Sequence, residues 1–222
     1  MNVHSSFRKQ YVEGKKKTMD KATSNKGEAI MEAALHLFTT QGYAETNVPS
    51  IARAARVGVG TVYRYFKNKD NILNHLFQKV LTLFLSEIQD AVDRQASIED
   101  QFSQIFDAAT ALMTHYTVEL QFMNLNVFNE MLDADSQAAR DKVIAYFTDF
   151  LKAGQDSKVI VPGSADAQLV LMYGSVQMMI SFLWARRHFA RIQPEDTRII
   201  RQLKNQLWNA LTVERKVFSE EV

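Results

Sequence analysis

The fold turns on residues 57–66, VGVGTVYRYF. By propensity alone this decapeptide reads as a strand, because Val, Thr, Tyr and Phe favour sheets and glycine weakens helices. Its flanks argue otherwise: IARAAR at 51–56 and KNKDNILNHLF at 67–77 are helical in composition. A lone β-like stretch between helices has no partner strand. It reads instead as a turn that feeds a short helix of poor intrinsic propensity, one that only tertiary packing can hold together.

Outward from that stretch, the chain reads as all-α, with apolar residues three and four apart and glycine or proline at the breaks. Asn25 with Glu28 forms a capping box for a helix to about Gln41, which buries Ile30, Ala34, Leu37 and Phe38 and is stopped by Gly42. A second helix starts near Asn47–Pro49 and carries Ile51, Ala52 and Ala55. A long amphipathic helix runs from Lys69 to about Arg94, with Ile72, Leu76, Val80, Phe84 and Ile88 in one stripe. Residues 98–132, 135–153, 165–190 and 195–217 supply four or five more helices, and Gly154 is read as a helix-ending residue. The strand-like KVIV at 158–161 has nothing to pair with.

This divides the chain into a flexible basic arm (1–24), a small helical head (25–70) and a larger helical body (71–222). The net charge of +1 hides an asymmetry: residues 1–75 hold 12 Lys+Arg against 6 Asp+Glu, and the remainder holds 14 against 19. A basic head on an acidic body suits a polyanionic partner for the head alone. There is no cysteine, hence no disulfide framework and no thiolate chemistry, which is compatible with a cytoplasmic protein. No apolar run of membrane-spanning length occurs, and the amino end lacks a signal-peptide core. The histidines are scattered (His4, His36, His75, His115, His188), and no catalytic or phosphate-binding motif occurs, so neither an enzyme, a metal site nor a cofactor is expected.

Three short helices with a tight turn before the third make a helix-turn-helix, whose third helix enters a DNA major groove. Gly58 turns the chain into that helix, Gly60 bares its backbone, and Val57 and Val62 hold it onto the other two. The segment AALHLFTTQGYAETNVPSIARAARVGVGTVYRYFKNKDNIL, residues 33–73, resembles the DNA-binding domain of TetR-type (TetR/AcrR family) transcriptional regulators. It departs from the family at Arg56, where glycine is usual in the turn, and at Gly58, where serine often caps.

That resemblance implies DNA contacts by Thr46, Val59, Thr61, Tyr63, Arg64, Tyr65 and Lys69. Arg64 would pair with a guanine, Val59 and Thr61 would meet thymine methyls, and Tyr63 and Lys69 would hold phosphates. Tyr65 has a plainer alternative role, packing beside Phe66. For the body, the resemblance implies a small apolar effector bound near Met113, Tyr116, Phe128, Met131, Phe150 and Gln177. It also implies a homodimer formed by the last two helices through Met179, Leu183, Leu203, Leu207, Trp208 and Leu211. Two-fold symmetry would match a palindromic double-stranded operator with half-sites at multiples of about 34 Å. The expected function is a ligand-responsive repressor. The alternatives are a nucleoid-associated DNA-binding protein without a transcriptional role, and a helical ligand carrier with a degenerate head.

Overall fold

The computed structural model describes residues 26–186 and 196–212. Among these lie nine helices and no strand. The expected basic arm, Asn25, residues 187–190 and 195 of the expected helices, and the chain beyond Thr212 fall outside the described residues. The chain divides into two compact units between Leu73 and Asn74.

The first unit holds α1 (Lys26–Thr40), α2 (Val48–Ala54), α3 (Val59–Tyr65) and the start of α4 (Lys69–Ala91). Ile30, Ala34 and Phe38 recur every four residues along α1 and are fully buried. Gly42 ends the helix region at φ +85, a conformation that side-chain-bearing residues rarely take. Asn47 caps α2: its side chain accepts from the Ser50 amide at 2.9 Å, and the Ser50 hydroxyl oxygen accepts from the Asn47 amide at 3.3 Å. Thr46, expected to open this helix and meet DNA, is instead buried at 1% exposure and donates its hydroxyl to the Gly42 carbonyl at 2.8 Å.

The turn between α2 and α3 is a Schellman motif. The Val57 amide bonds the Ala52 carbonyl at 2.9 Å, and the Arg56 amide bonds the Arg53 carbonyl at 3.1 Å. Its left-handed position falls on Arg56, with φ 55, not on Gly58, which sits at φ −71 as the N-cap of α3. Val62 and Phe66 bury the inner side of α3, and the three short helices pack pairwise.

The second unit contains the rest of α4, then α5 (Ile98–His115), α6 (Thr117–Asn126), α7 (Ala134–Asp156), α8 (Ala165–Arg186) and α9 (Thr197–Leu211). The helical stretch expected over 98–132 is two helices, divided at Tyr116, so the four or five expected in this part number five among the described residues, and the second of the two ends at Asn126. Buried Asn74 holds the following loop, donating to the Met131 carbonyl at 2.9 Å and accepting from the Asp133 amide at 2.8 Å. Asp133 then caps α7 through the Ser136 amide at 2.8 Å.

Gly154 does not end α7. It lies inside the helix, and the left-handed residue is Lys158 at φ 62, in a second Schellman motif: Val159 amide to Gly154 carbonyl 3.0 Å, Lys158 amide to Gln155 carbonyl 2.9 Å. Glycine is required at 154 for another reason. A Cβ there would meet Ile160 Cδ1 at 2.4 Å. The segment around Ile160 does find a partner: Ile160 makes an isolated antiparallel bridge with Thr212, and the Val161 amide bonds the Leu211 carbonyl at 2.8 Å. The α8 helix packs on α7 and α9, and α9 also packs on α5, where Trp208 and Phe102 stack at 5.0 Å between ring centres.

Candidate nucleic-acid interface and body cavity

The outward side of α3 carries Val59, Tyr63, Arg64 and Tyr65, all exposed, with Thr61 half-buried. Tyr63 is 55% and Tyr65 44% exposed, so Tyr65 does not pack into the core beside Phe66. Gly60 is exposed too, and a Cβ there would meet nothing within 4 Å. Packing therefore does not demand glycine at 60; its effect is to bare the α3 backbone on the open face. Two phenols, a guanidinium and a bare helix backbone form a surface suited to phosphates and base edges.

Lys69 lies differently from its expected role. Its ammonium donates to the carbonyl oxygens of Tyr43 at 2.9 Å, Thr46 at 3.0 Å and Ala44 at 3.5 Å, and stands 4.1 Å from the centre of the Tyr43 ring. The Tyr43 hydroxyl in turn donates to Asp70 Oδ1. Burial, the Asp70 hydrogen bond and the Asp70 charge, in that order, push the Tyr43 phenol well above its ordinary value. The start of α4 is thus fastened to the turn after α1.

The body holds a small apolar cavity of about 40 Å³. Phe84 of α4, Phe102, Phe106 and Met113 of α5, Phe147 of α7, and Met172 of α8 are among the side chains around it. Of the six residues expected to bind an effector, only Met113 lines it. Tyr116 borders a separate crevice of about 10 Å³ beside Glu119. Phe150 is buried and Gln177 half-buried, but neither reaches this cavity. Phe128 is 88% exposed and Met131 46%, since both sit on the loop that Asn74 holds rather than inside a helix pair. The missed residues carry a helical signal, Phe102, Phe106 and Met113 on one stripe of α5 and Met172 with Val176 on α8, which separates them from the exposed aromatics only once the helices are packed. The Tyr173 hydroxyl donates to Asn124 Oδ1 at the edge of this region, and burial pushes its phenol up to about 12.

Five of the six residues expected at a dimer surface turn inward. Met179, Leu183, Leu207, Trp208 and Leu211 are buried within the chain itself, and only Leu203 is half open. The open apolar side of α8 is the opposite one: Val170, Leu171, Met178 and Phe182 are exposed and border a groove of about 710 Å³ with Ile199 and Leu203 of α9.

Among the described residues no group of three or more His, Cys, Asp or Glu side chains could hold a metal ion, and no helix is long and apolar enough to cross a membrane.

Residues 30–76 match the sequence model for bacterial regulatory proteins of the tetR family, and residues 77–213 match that for tetracyclin repressor-like C-terminal domains. The HTH-type transcriptional regulator YhgD of Bacillus subtilis is 25% identical over 166 residues, covering 72% of this chain and 84% of that protein. The fatty acid metabolism regulator protein of the same organism is 30% identical over 84 residues, 38% of this chain and 43% of its own length. A TetR family transcription regulator from Marinobacter aquaeolei VT8 superposes with a TM-score of 0.73 at 18% identity, covering 84% of this chain and 95% of that one. The helix-turn-helix head and helical body therefore belong to a member of the TetR family of DNA-binding transcriptional regulators.

Proposed function

We propose that this protein is a homodimeric repressor that a small apolar molecule releases from a palindromic operator. The observation that carries the DNA half of this reading is the exposed row Tyr63, Arg64 and Tyr65 on a helix braced from behind by Val62 and Phe66. Arg64 is the base-reading residue, since a bidentate guanidinium–guanine pair discriminates by about 1–3 kcal/mol. Tyr63 holds a phosphate, and Val59 and Thr61 meet thymine methyls. Such a regulator works where the chromosome is, in the cytoplasm.

The effector half rests on the cavity. At about 40 Å³ it has room for one or two waters rather than a metabolite, so an effector must push α4, α5, α7 and α8 apart to enter. Its lining is carbon and thioether, with Met113 and Met172 able to re-pack around varied shapes. An acyl chain or an aromatic ring fits that chemistry, and a charged metabolite would lose its hydration without a partner. The name of the Bacillus fatty acid metabolism regulator points the same way. An effector that binds only the widened body shifts the population away from the DNA-bound form.

The test is a duplex selected from a random pool by the wild type. Arg64→Ala should weaken binding to it and flatten the preference over random duplex. A variant that binds both as the wild type does removes Arg64 from base reading. Fatty acids and aromatic acids titrated into the complex should release the duplex if the effector reading holds.

A further inference from the structure

We infer that Lys67, and not Lys69, neutralises a DNA phosphate at the corner between α3 and α4, and that Lys69 is a positioning residue that closes the head. This rests on the DNA-binding reading above. A lysine ammonium has three N–H donors. Those of Lys69 are directed to three carbonyl oxygens of the turn after α1, with the Tyr43 ring on a further side. A phosphate could reach this ammonium only by displacing carbonyls whose own amide groups shape that turn.

What these bonds achieve is closure. Lys69 and Asp70, the first two residues of α4, both hold the turn at Tyr43–Thr46, so the whole of α2 and α3 lies within a loop fastened at its two ends. The orientation of α3 is fixed by that fastening together with the buried Val62 and Phe66. Lys69 then acts on DNA through the geometry of α3 and not by touching it.

Lys67 has the opposite character. It stands between Phe66, the C-cap of α3, and the start of α4, and it is exposed. Its ammonium has no hydrogen-bond partner among the described residues, while its backbone is held, the Lys67 amide donating to Asn71 Oδ1 at 3.3 Å. Asn68 in turn caps the first turn of α4 by accepting from the Asn71 amide at 2.8 Å. The nearest carboxylate in sequence, Asp70, is engaged with Tyr43. The result is an uncompensated cation on an anchored stem at the end of the recognition helix, the arrangement that binds a phosphate and fixes register without reading sequence.

Salt dependence separates the two lysines, because each phosphate neutralised contributes about −0.9 to the slope of log affinity against log salt on duplex DNA. Anisotropy titrations would use the full chain and a fluorescein-labelled duplex, both pool-selected and random. Lys67→Met removes one phosphate contact from each protomer, so it should flatten the slope by about 0.9 per protomer, about 1.8 for a dimer, on both duplexes and leave thermal stability unchanged. Lys69→Met should weaken binding about tenfold to the selected duplex with the slope of the wild type, and should lower the melting temperature of the DNA-free protein. An unchanged slope for Lys67→Met overturns the inference, as does a flattened slope or wild-type affinity for Lys69→Met. If Lys69→Met does not fold, Lys67→Met still decides. Wild-type protein that binds neither duplex would overturn the DNA reading and this inference with it, whereas binding with the two slopes exchanged overturns this inference alone.

Discussion

Lys69 and Tyr43 meet twice: the Lys69 ammonium donates to the Tyr43 carbonyl oxygen at 2.9 Å and stands 4.1 Å from the centre of the Tyr43 ring. The Tyr43 hydroxyl donates to Asp70, so one tyrosine is fastened to two consecutive residues of α4. Tyr43→Phe keeps the ring and removes the second bond. A hydrogen bond to a carboxylate at a partly exposed site contributes about 1 kcal/mol, and urea denaturation at neutral pH should show that loss.

The same pair sets a pH dependence. The Tyr43 phenol is raised in the folded protein by burial first and then by Asp70, so folding favours its neutral form. That stabilisation is fully present below the unfolded tyrosine value near pH 10 and is lost as pH climbs through the raised folded value. The wild type's advantage over Tyr43→Phe should therefore hold at neutral pH and shrink above about pH 10. An advantage that grows with alkali would mean that the hydroxyl donates elsewhere.

Arg56 and Lys158 occupy the left-handed position of the two Schellman motifs, at φ 55 and φ 62. A side chain there costs about 1–2 kcal/mol, part of which glycine gives back through its freer unfolded chain. Arg56→Gly and Lys158→Gly should each stabilise the protein by about 0.5–1 kcal/mol in denaturant titrations. Arg53→Gly, one turn earlier inside α2, should destabilise it by about 1 kcal/mol and serves as the control.

Gly154 and Ile160 form a close fit between α7 and the segment that bridges to Thr212. Gly154→Ala places a methyl 2.4 Å from Ile160 Cδ1 and should destabilise by about 1–3 kcal/mol. Ile160→Ala leaves a cavity at a fully buried position and should lose about 2–4 kcal/mol. The double variant should lose less than the sum of the two, because the added methyl enters the space the isoleucine vacated. Strict additivity would mean that the contact is not what excludes a side chain at 154.

The head was legible in the sequence because its determinants are local. Gly42 at positive φ, the Asn47 cap and the pegs Val62 and Phe66 act within a few residues of the turns they control. Thr46 was misread because its hydroxyl finds a carbonyl one turn back, a bond that the spacing alone does not reveal. The body was legible as helices and not as surfaces. Along α8 apolar residues run nearly all round, so sequence gives no preferred inner side. Only packing against α7 and α9 decides that Met179 and Leu183 go in and that Met178 and Phe182 stay out. Phe128 and Phe147 likewise look alike in sequence, yet one lies on a loop in solvent and the other at the cavity wall.

That inversion on α8 changes which substitution tests the dimer. Val170, Leu171, Met178 and Phe182 are exposed apolar side chains beside a groove, the kind of surface on which chains associate. Met178 is 67% exposed in the single chain, so Met178→Arg has little to disturb in the fold, while a charge buried without a partner in an isologous interface is strongly destabilising. Sedimentation velocity should show a dimer for the wild type and a monomer of unchanged helicity for Met178→Arg. Leu207→Arg, aimed at a residue that lines the body cavity, should instead unfold the body. A wild type that sediments as a monomer, or a Met178→Arg that remains a dimer, would remove this face of α8 from self-association.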